Sequence, residues 1–164
     1  MRVYEIVPGL YQSPTPQTLD DSVFTDADGN EVGINAIVDL EGGIDPVVPQ
    51  GELADVYLYW PILDGPIPEE DILRTMARFI SGLMDCGYRV LVHCKAGKNR
   101  ASLVSGRVLI EKGLEPEEAV MLLRERRGDD VLRNLAFLDW LMKERPGSGA
   151  PVSLSRETGD VAQR

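Results

Sequence analysis

At 164 residues, 43% hydrophobic and 27% charged, the chain can bury one core and has the make-up of a globular domain. Its net charge of −10 argues against nucleic acid or an anionic membrane as partner, since both are polyanions. No apolar run approaches the roughly 20 residues that span a bilayer, and Met1-Arg2-Val3-Tyr4-Glu5 lacks the apolar stretch of a secretory signal, so the expected location is the cytoplasm.

In chain order, Val3–Ile6 and Leu10–Gln12 read as short strands around Pro8-Gly9. The run Asp26-Ala27-Asp28-Gly29-Asn30-Glu31 imitates a calcium loop. However, its glycine falls at the fourth position instead of the sixth, and the twelfth is Ile37 instead of Glu; Asp28-Gly29 reads as a tight turn and no metal is expected. Ala36–Leu40 and Val56–Trp60 are apolar strands. Pro68 opens a helix whose Ile72, Met76, Phe79, Ile80 and Leu83 keep helical spacing as far as Gly87. Arg89–His93 is the expected central strand. Ala101–Lys112 is a mostly apolar, buried helix in which Gly106 marks close packing. Pro116–Arg127 and roughly Asn134–Arg145 form two more helices. From Pro146 the periodicity ends, and residues 146–164 read as a flexible tail after a single domain of residues 1–145.

Strands alternating with helices predict a three-layer α/β fold: a mostly parallel sheet of four to five strands with helices on both faces. The unit from Val56 to His93 is strand–helix–strand. Its right-handed crossover makes the two strands parallel and releases both following loops at one edge of the sheet. Charge is divided unevenly along this chain. Residues 1–64 hold twelve acids against one base, a balance of −11, and the remainder sums to +1, read here as a solvated acidic surface.

The loop after the central strand, His93-Cys94-Lys95-Ala96-Gly97-Lys98-Asn99-Arg100, carries the chemistry. A strand-to-helix loop aims backbone N–H groups at one point, and the helix dipole favours negative charge there. Arg100 offers a planar fork matched to phosphate oxygens, and the charges that hold phosphate also favour a thiolate at Cys94. Lys95, Ala96, Gly97, Lys98, Asn99 and Arg100 are the expected substrate-binding positions, and the chemistry is attack of sulfur on phosphorus. A plain helix N-terminal Arg would oppose the dipole unless an anion were bound. His93 is the one histidine in the chain, so a multi-histidine metal site is excluded and no cofactor is expected. Cys86, eight residues ahead of Cys94, reads as a buried small hydrophobe, with a reversible disulfide to Cys94 as the alternative.

His-Cys, five residues and Arg, with Gly three residues after Cys, resembles the signature of the cysteine-based protein tyrosine and dual-specificity phosphatases. Trp60-Pro61-Ile62-Leu63-Asp64-Gly65 is similar to the segment that carries that family's general acid, and Gly113–Val120 to a helix junction of its small members. The resemblance implies a phosphocysteine intermediate on Cys94, transition-state binding by Arg100, and Asp64 as general acid and then base. An ordinary Asp-Gly turn is the alternative for Asp64, with Glu41 and Asp45 in reserve. It also implies that His93 orders the loop, although a core histidine is equally consistent. Lys95 and Lys98 resemble the loop of some phosphoinositide phosphatases; tolerance of many residues at these positions is the alternative.

One departure stands out. The family's hydroxyl directly after Arg, which helps sulfur leave, is replaced by Ala101, with Ser102 one step later and about 100° around the helix. Slow hydrolysis of the phosphoenzyme is the expectation. The favoured substrate is a phosphorylated protein, on tyrosine and also serine or threonine, or a small phosphate ester, met by a monomer without stable membrane association. The alternatives are an inositol phosphate or phosphoinositide phosphatase, a lapsed module that only binds phosphate, and sulfur or arsenate chemistry, which would not need Asp64.

Overall fold

Leu10 to Pro14 and Val90 to Cys94 run side by side in the middle of the molecule, and the remaining elements are arranged about this pair. The computed structural model describes residues 1–16, 23–42 and 54–147. The proposed tail beyond Gly147, and Asp45, lie outside them.

Five strands form one sheet: β1 (Tyr4–Val7), β2 (Leu10–Pro14), β3 (Ala36–Asp39), β4 (Val56–Tyr59) and β5 (Val90–Cys94), in the order β1-β2-β5-β3-β4. Only β1 and β2 pair antiparallel; they turn back at Pro8-Gly9, where Gly9 takes φ +88°, a conformation that glycine adopts without strain. The other pairs are parallel. β5 is central, and β4 runs parallel to it with β3 between them.

Period-two alternation divides the two faces. Leu10, Ala36, Val38, Val90 and Val92 join the large core with the helices, whereas Tyr11, Ile37 and Leu91 meet Val3, Phe24 and Ile34 in a second core. Both faces are covered, in a three-layer α/β arrangement; the helices pack on the first face, and among the described residues the second is covered by the non-helical segments that carry Val3, Phe24 and Ile34 and not by the helices expected there. The turn in front of the second core is built as the sequence suggests: the Asp26 carboxylate accepts from the backbone N–H of Asp28 and of Asn30, and Gly29 takes φ +85°.

Four helices follow, α1 (Glu70–Asp85), α2 (Arg100–Glu111), α3 (Pro116–Arg127) and α4 (Leu135–Leu141). Every α2 residue from Ala101 to Ile110 is buried. Gly106 is the close-packing position expected, since a Cβ there would stand 2.9 Å from a Leu141 methyl. α3 starts on Pro116, and the Glu118 carboxylate reaches back to the Glu115 N–H at 3.1 Å, closing a capping box. Buried Arg107 meets Glu144 at 3.0 Å, and Arg74 meets the same carboxylate at 2.8 Å, which ties α1 and α2 to the chain just past α4.

Three further expectations need correction. α1 is rotated relative to the pattern read from its sequence: Leu73, Ala77, Ile80 and Ser81 are buried, and Ile72 and Phe79 are exposed. Small Ala77 and Ser81 are what a close helix-to-helix approach selects. Cys86 is exposed and not buried, because it follows α1 at its C-cap instead of lying on its inner face. α4 ends at Leu141, four residues short of the expected Arg145.

Candidate active site

β5 delivers Cys94 at its last residue and α2 begins with Arg100, so the loop between them is one tight connection. Cys94 is 2% exposed. Gly97 takes φ +63° and lies against β2; a Cβ there would collide with the Ser13 carbonyl group and stand 2.8 Å from Pro14 N. Glycine is therefore required here both for conformation and for space. The first α2 amide to close onto the loop is Leu103 N–H, on the Asn99 carbonyl at 2.8 Å. By helix geometry the N–H groups ahead of it lack intrahelical acceptors, which leaves the loop end of α2 suited to an anion.

The Arg100 guanidinium crosses to the neighbouring strand ends. Nη1 donates to the carbonyls of Leu40 at 3.0 Å and Ile62 at 3.1 Å, and Nη2 lies 3.6 Å from Glu41. Thr15 Oγ1 in turn donates to Glu41 at 3.2 Å. Glu41 thus stands beside the guanidinium and offsets its charge.

Asp64 hangs from the segment after β4, on the same edge of the sheet. Asn99 Nδ2 donates to one of its carboxylate oxygens at 2.9 Å and Asn134 Nδ2 to the other at 3.1 Å. The thiol, the guanidinium and the carboxylate named from the sequence thus share one loop and the strand ends around it. His93 is fully buried, in register with Asp39, whose carboxylate lies 3.8 Å from His93 Nε2. Asp39 also accepts from Tyr57 Oη at 2.6 Å and from the Glu41 N–H at 2.8 Å.

Other expected residues are engaged differently. Lys98 Nζ is ion-paired with Asp130, and this bond holds the Asp130 carboxyl below the usual carboxylate range. Lys95 and Ala96 are exposed. Ser102 Oγ faces Gln12 Oε1 at 3.4 Å, and Gln12 Nε2 donates to the Ala101 carbonyl at 3.2 Å. The first hydroxyl after Ala101 is therefore spent inside the fold.

Sequence reasoning missed the contribution of the α3–α4 junction. Arg127 Nη2 donates to the Gly97 carbonyl at 2.9 Å, and its guanidinium lies 3.8 Å from the centre of the Tyr4 ring. Burial pulls this guanidinium below the usual arginine range, against the opposing influence of Tyr4, Asp130 and Cys94. Together with Asp130 and Asn134, it ties the Cys94–Arg100 loop to the α3–α4 corner. The available signal was the basic end of α3 followed by Asp129-Asp130 and a helix-capping Asn.

Fold and loop together define a class: an α/β protein whose central parallel strand ends in a thiol-bearing loop closed by arginine. Comparison with known proteins then gives the family. Residues 57–145 match the dual specificity phosphatase catalytic domain, and the chain belongs to that family. Among curated relatives, the protein tyrosine phosphatase type IVA 3 of Homo sapiens is 34% identical over 92 residues, covering 53% of this chain and 50% of its own. The serine/threonine/tyrosine-interacting protein B of Xenopus laevis is 29% identical over 129 residues, 75% of this chain and 56% of its own. The chain thus spans about half the length of the curated relatives it matches. A solved mouse dual specificity phosphatase has the same fold, with a TM-score of 0.67 at 21% identity, covering 86% of this chain and 84% of its own.

Proposed function

We propose that this chain is a cysteine-dependent phosphomonoesterase acting on phosphotyrosine in proteins, with phosphoserine and phosphothreonine as further substrates to be tested. The thiolate of Cys94 attacks phosphorus and the bond to the leaving oxygen breaks, while protonated Asp64 transfers its proton to that oxygen. An alkoxide or phenoxide leaves poorly, so an acid is needed at this step. Arg100 and the free amides at the head of α2 hold the equatorial oxygens, where charge is greatest in the transition state. In the second half-reaction the Asp64 carboxylate takes a proton from water, the water oxygen attacks phosphorus, and the S–P bond breaks to release phosphate and regenerate the thiolate.

The observation that carries this reading is the bond from Asn99, within the Cys94–Arg100 loop, to Asp64 at 2.9 Å, because it brings an acid to the thiol's own loop. Sulfur transfer would have no use for that acid. The pairing of Lys98 with Asp130 offsets the charge of one of the loop's two lysines, which supports a monophosphate over a polyphosphorylated inositol or its lipid. We read residues 1–145 as the catalytic domain and the protein as a cytoplasmic monomer. Among the described residues no helix is long and apolar enough to cross a membrane.

The test is a comparison of kcat/KM across phosphotyrosine, phosphoserine and phosphothreonine peptides and inositol phosphates. The highest value is expected on phosphotyrosine, with no turnover by Cys94→Ser. Preference for an inositol phosphate would overturn the substrate assignment, and turnover by Cys94→Ser would overturn the mechanism.

A further inference from the structure

Asp64 sits on a stretch with little to hold it. Asp64 itself is exposed, Leu63 is 79% exposed and Pro66 is exposed, so packing holds the segment at its two ends, through buried Ile62 and half-buried Ile67, and not at Asp64. A surface carboxylate on such a segment would ordinarily sample several rotamers. Here both of its oxygens are engaged, and by side chains from two other elements.

The two carboxamides are oriented by backbone groups. Asn134 is the N-cap of α4, and its Oδ1 accepts from Ala136 N–H at 3.1 Å. That is the ordinary duty of a capping Asn, and it turns Nδ2 outward. Instead of meeting solvent, Nδ2 donates to Asp64 at 3.1 Å and to the Gly65 carbonyl at 2.9 Å. Asn99 is oriented in the same way: its Oδ1 accepts from Asn134 N–H at 3.3 Å, which directs its Nδ2 onto Asp64. Neither amide can be flipped without setting an N–H against an N–H.

We propose that Asn134, acting with Asn99, is a positioning residue that fixes Asp64 over the Cys94 loop before substrate arrives. The proposal rests on Asp64 being the general acid. Capping alone would be served by Ser, Thr or Asp as well as by Asn; Asp has no donor and a Ser or Thr hydroxyl carries a single one on the capping oxygen itself, whereas the carboxamide caps through oxygen and presents a separate nitrogen to both Asp64 and the Gly65 carbonyl. The acid is thus set by hydrogen bonds from the loop and from α4, and needs no closing movement of its own segment.

Asn134→Ser retains a capping oxygen and removes the carboxamide nitrogen that reaches Asp64 and the Gly65 carbonyl. The measurement is kcat/KM on phenyl phosphate, whose leaving group needs a proton, and on 2,4-dinitrophenyl phosphate, whose leaving group does not. We expect a loss of about tenfold or more on the first and less than about twofold on the second, because only acid catalysis is impaired. In an Asp64→Asn background, Asn134→Ser should cost nothing further on phenyl phosphate. Equal losses on both esters, or a loss that persists in that background, would reduce Asn134 to a structural cap and overturn the proposal. If Asp64→Asn itself lowers both esters alike, the assignment of Asp64 fails and the proposal falls with it. Should Asn134→Ser not fold, Asn134→Thr, which also keeps a capping oxygen and lacks the carboxamide nitrogen, poses the same question with the same pair of outcomes.

Discussion

Arg100 Nη1 donates to the carbonyl of Ile62 at 3.1 Å, two residues ahead of Asp64, so the arginine that closes the thiol loop also steadies the segment bearing the carboxylate. The same nitrogen holds the Leu40 carbonyl at 3.0 Å. One guanidinium therefore joins the carboxyl ends of β3 and β4 to the head of α2. The topology brings the elements to one edge; these bonds set their spacing.

Glu41, 3.6 Å from the Arg100 guanidinium, competes with any incoming anion for that charge. Removing its charge with Glu41→Gln should tighten inhibition by vanadate by up to about fivefold, the range expected for a partly exposed ion pair. Inhibition constants at fixed ionic strength check this. Weaker inhibition would mean that Glu41 instead holds Arg100 in its binding pose.

Ser102 is bonded to Gln12, and Ala101 offers no hydroxyl to the departing sulfur. Rapid-mix assays with an aryl phosphate should show a burst of about one equivalent of phenol per enzyme before the steady state. Ala101→Ser should raise steady-state kcat severalfold while leaving kcat/KM unchanged, since it acts after the first half-reaction. A linear trace at saturating substrate would show that hydrolysis of the intermediate is not slow.

Gly97 has no room for a side chain between the loop and β2. Gly97→Ala should displace the loop, lowering kcat/KM by about 100-fold, with a stability loss of about 1–3 kcal/mol. Kinetics and denaturant melts of the variant test this. Activity close to wild type would show that the loop adjusts without cost.

Tyr11, 8% exposed, donates to Glu5 at 2.9 Å; burial first, and then that bond and the Glu5 charge, push its phenol up to about 12 from 10.0. A raised value in the folded state means that stability is intact below pH 10 and is lost as pH climbs toward 12, by about 2–3 kcal/mol. Denaturant melts between pH 9 and 12 should show this decline in the wild type and not in Tyr11→Phe. Parallel declines would place the alkaline sensitivity in other groups.

The sequence made the loop legible because its parts are neighbours along the chain: Cys94 and Arg100 need only a strand before them and a helix after. Asp64 was legible through topology, since parallel strands release their loops at one edge. Asn134, Asp130 and Arg127 were not. They converge on the loop from the α3–α4 corner, and that approach depends on how α3 and α4 pack on α2, which no local pattern encodes. The facing of α1 was misjudged because apolar residues lie on more than one side of it. Packing there favours small Ala77 and Ser81 over large Ile72 and Phe79. Cys86 was misplaced for a related reason: hydrophobic character alone does not bury a residue at the end of a helix.

The central claim, that the sulfur of Cys94 carries the phosphoryl group, is tested most directly by rapid quench in denaturant followed by peptide mass spectrometry. Wild-type protein stopped within the burst should carry one phosphoryl group on the peptide containing Cys94, absent from Cys94→Ser and from the peptide containing Cys86. Product released at full rate with Cys94 unmodified at every time point would contradict it.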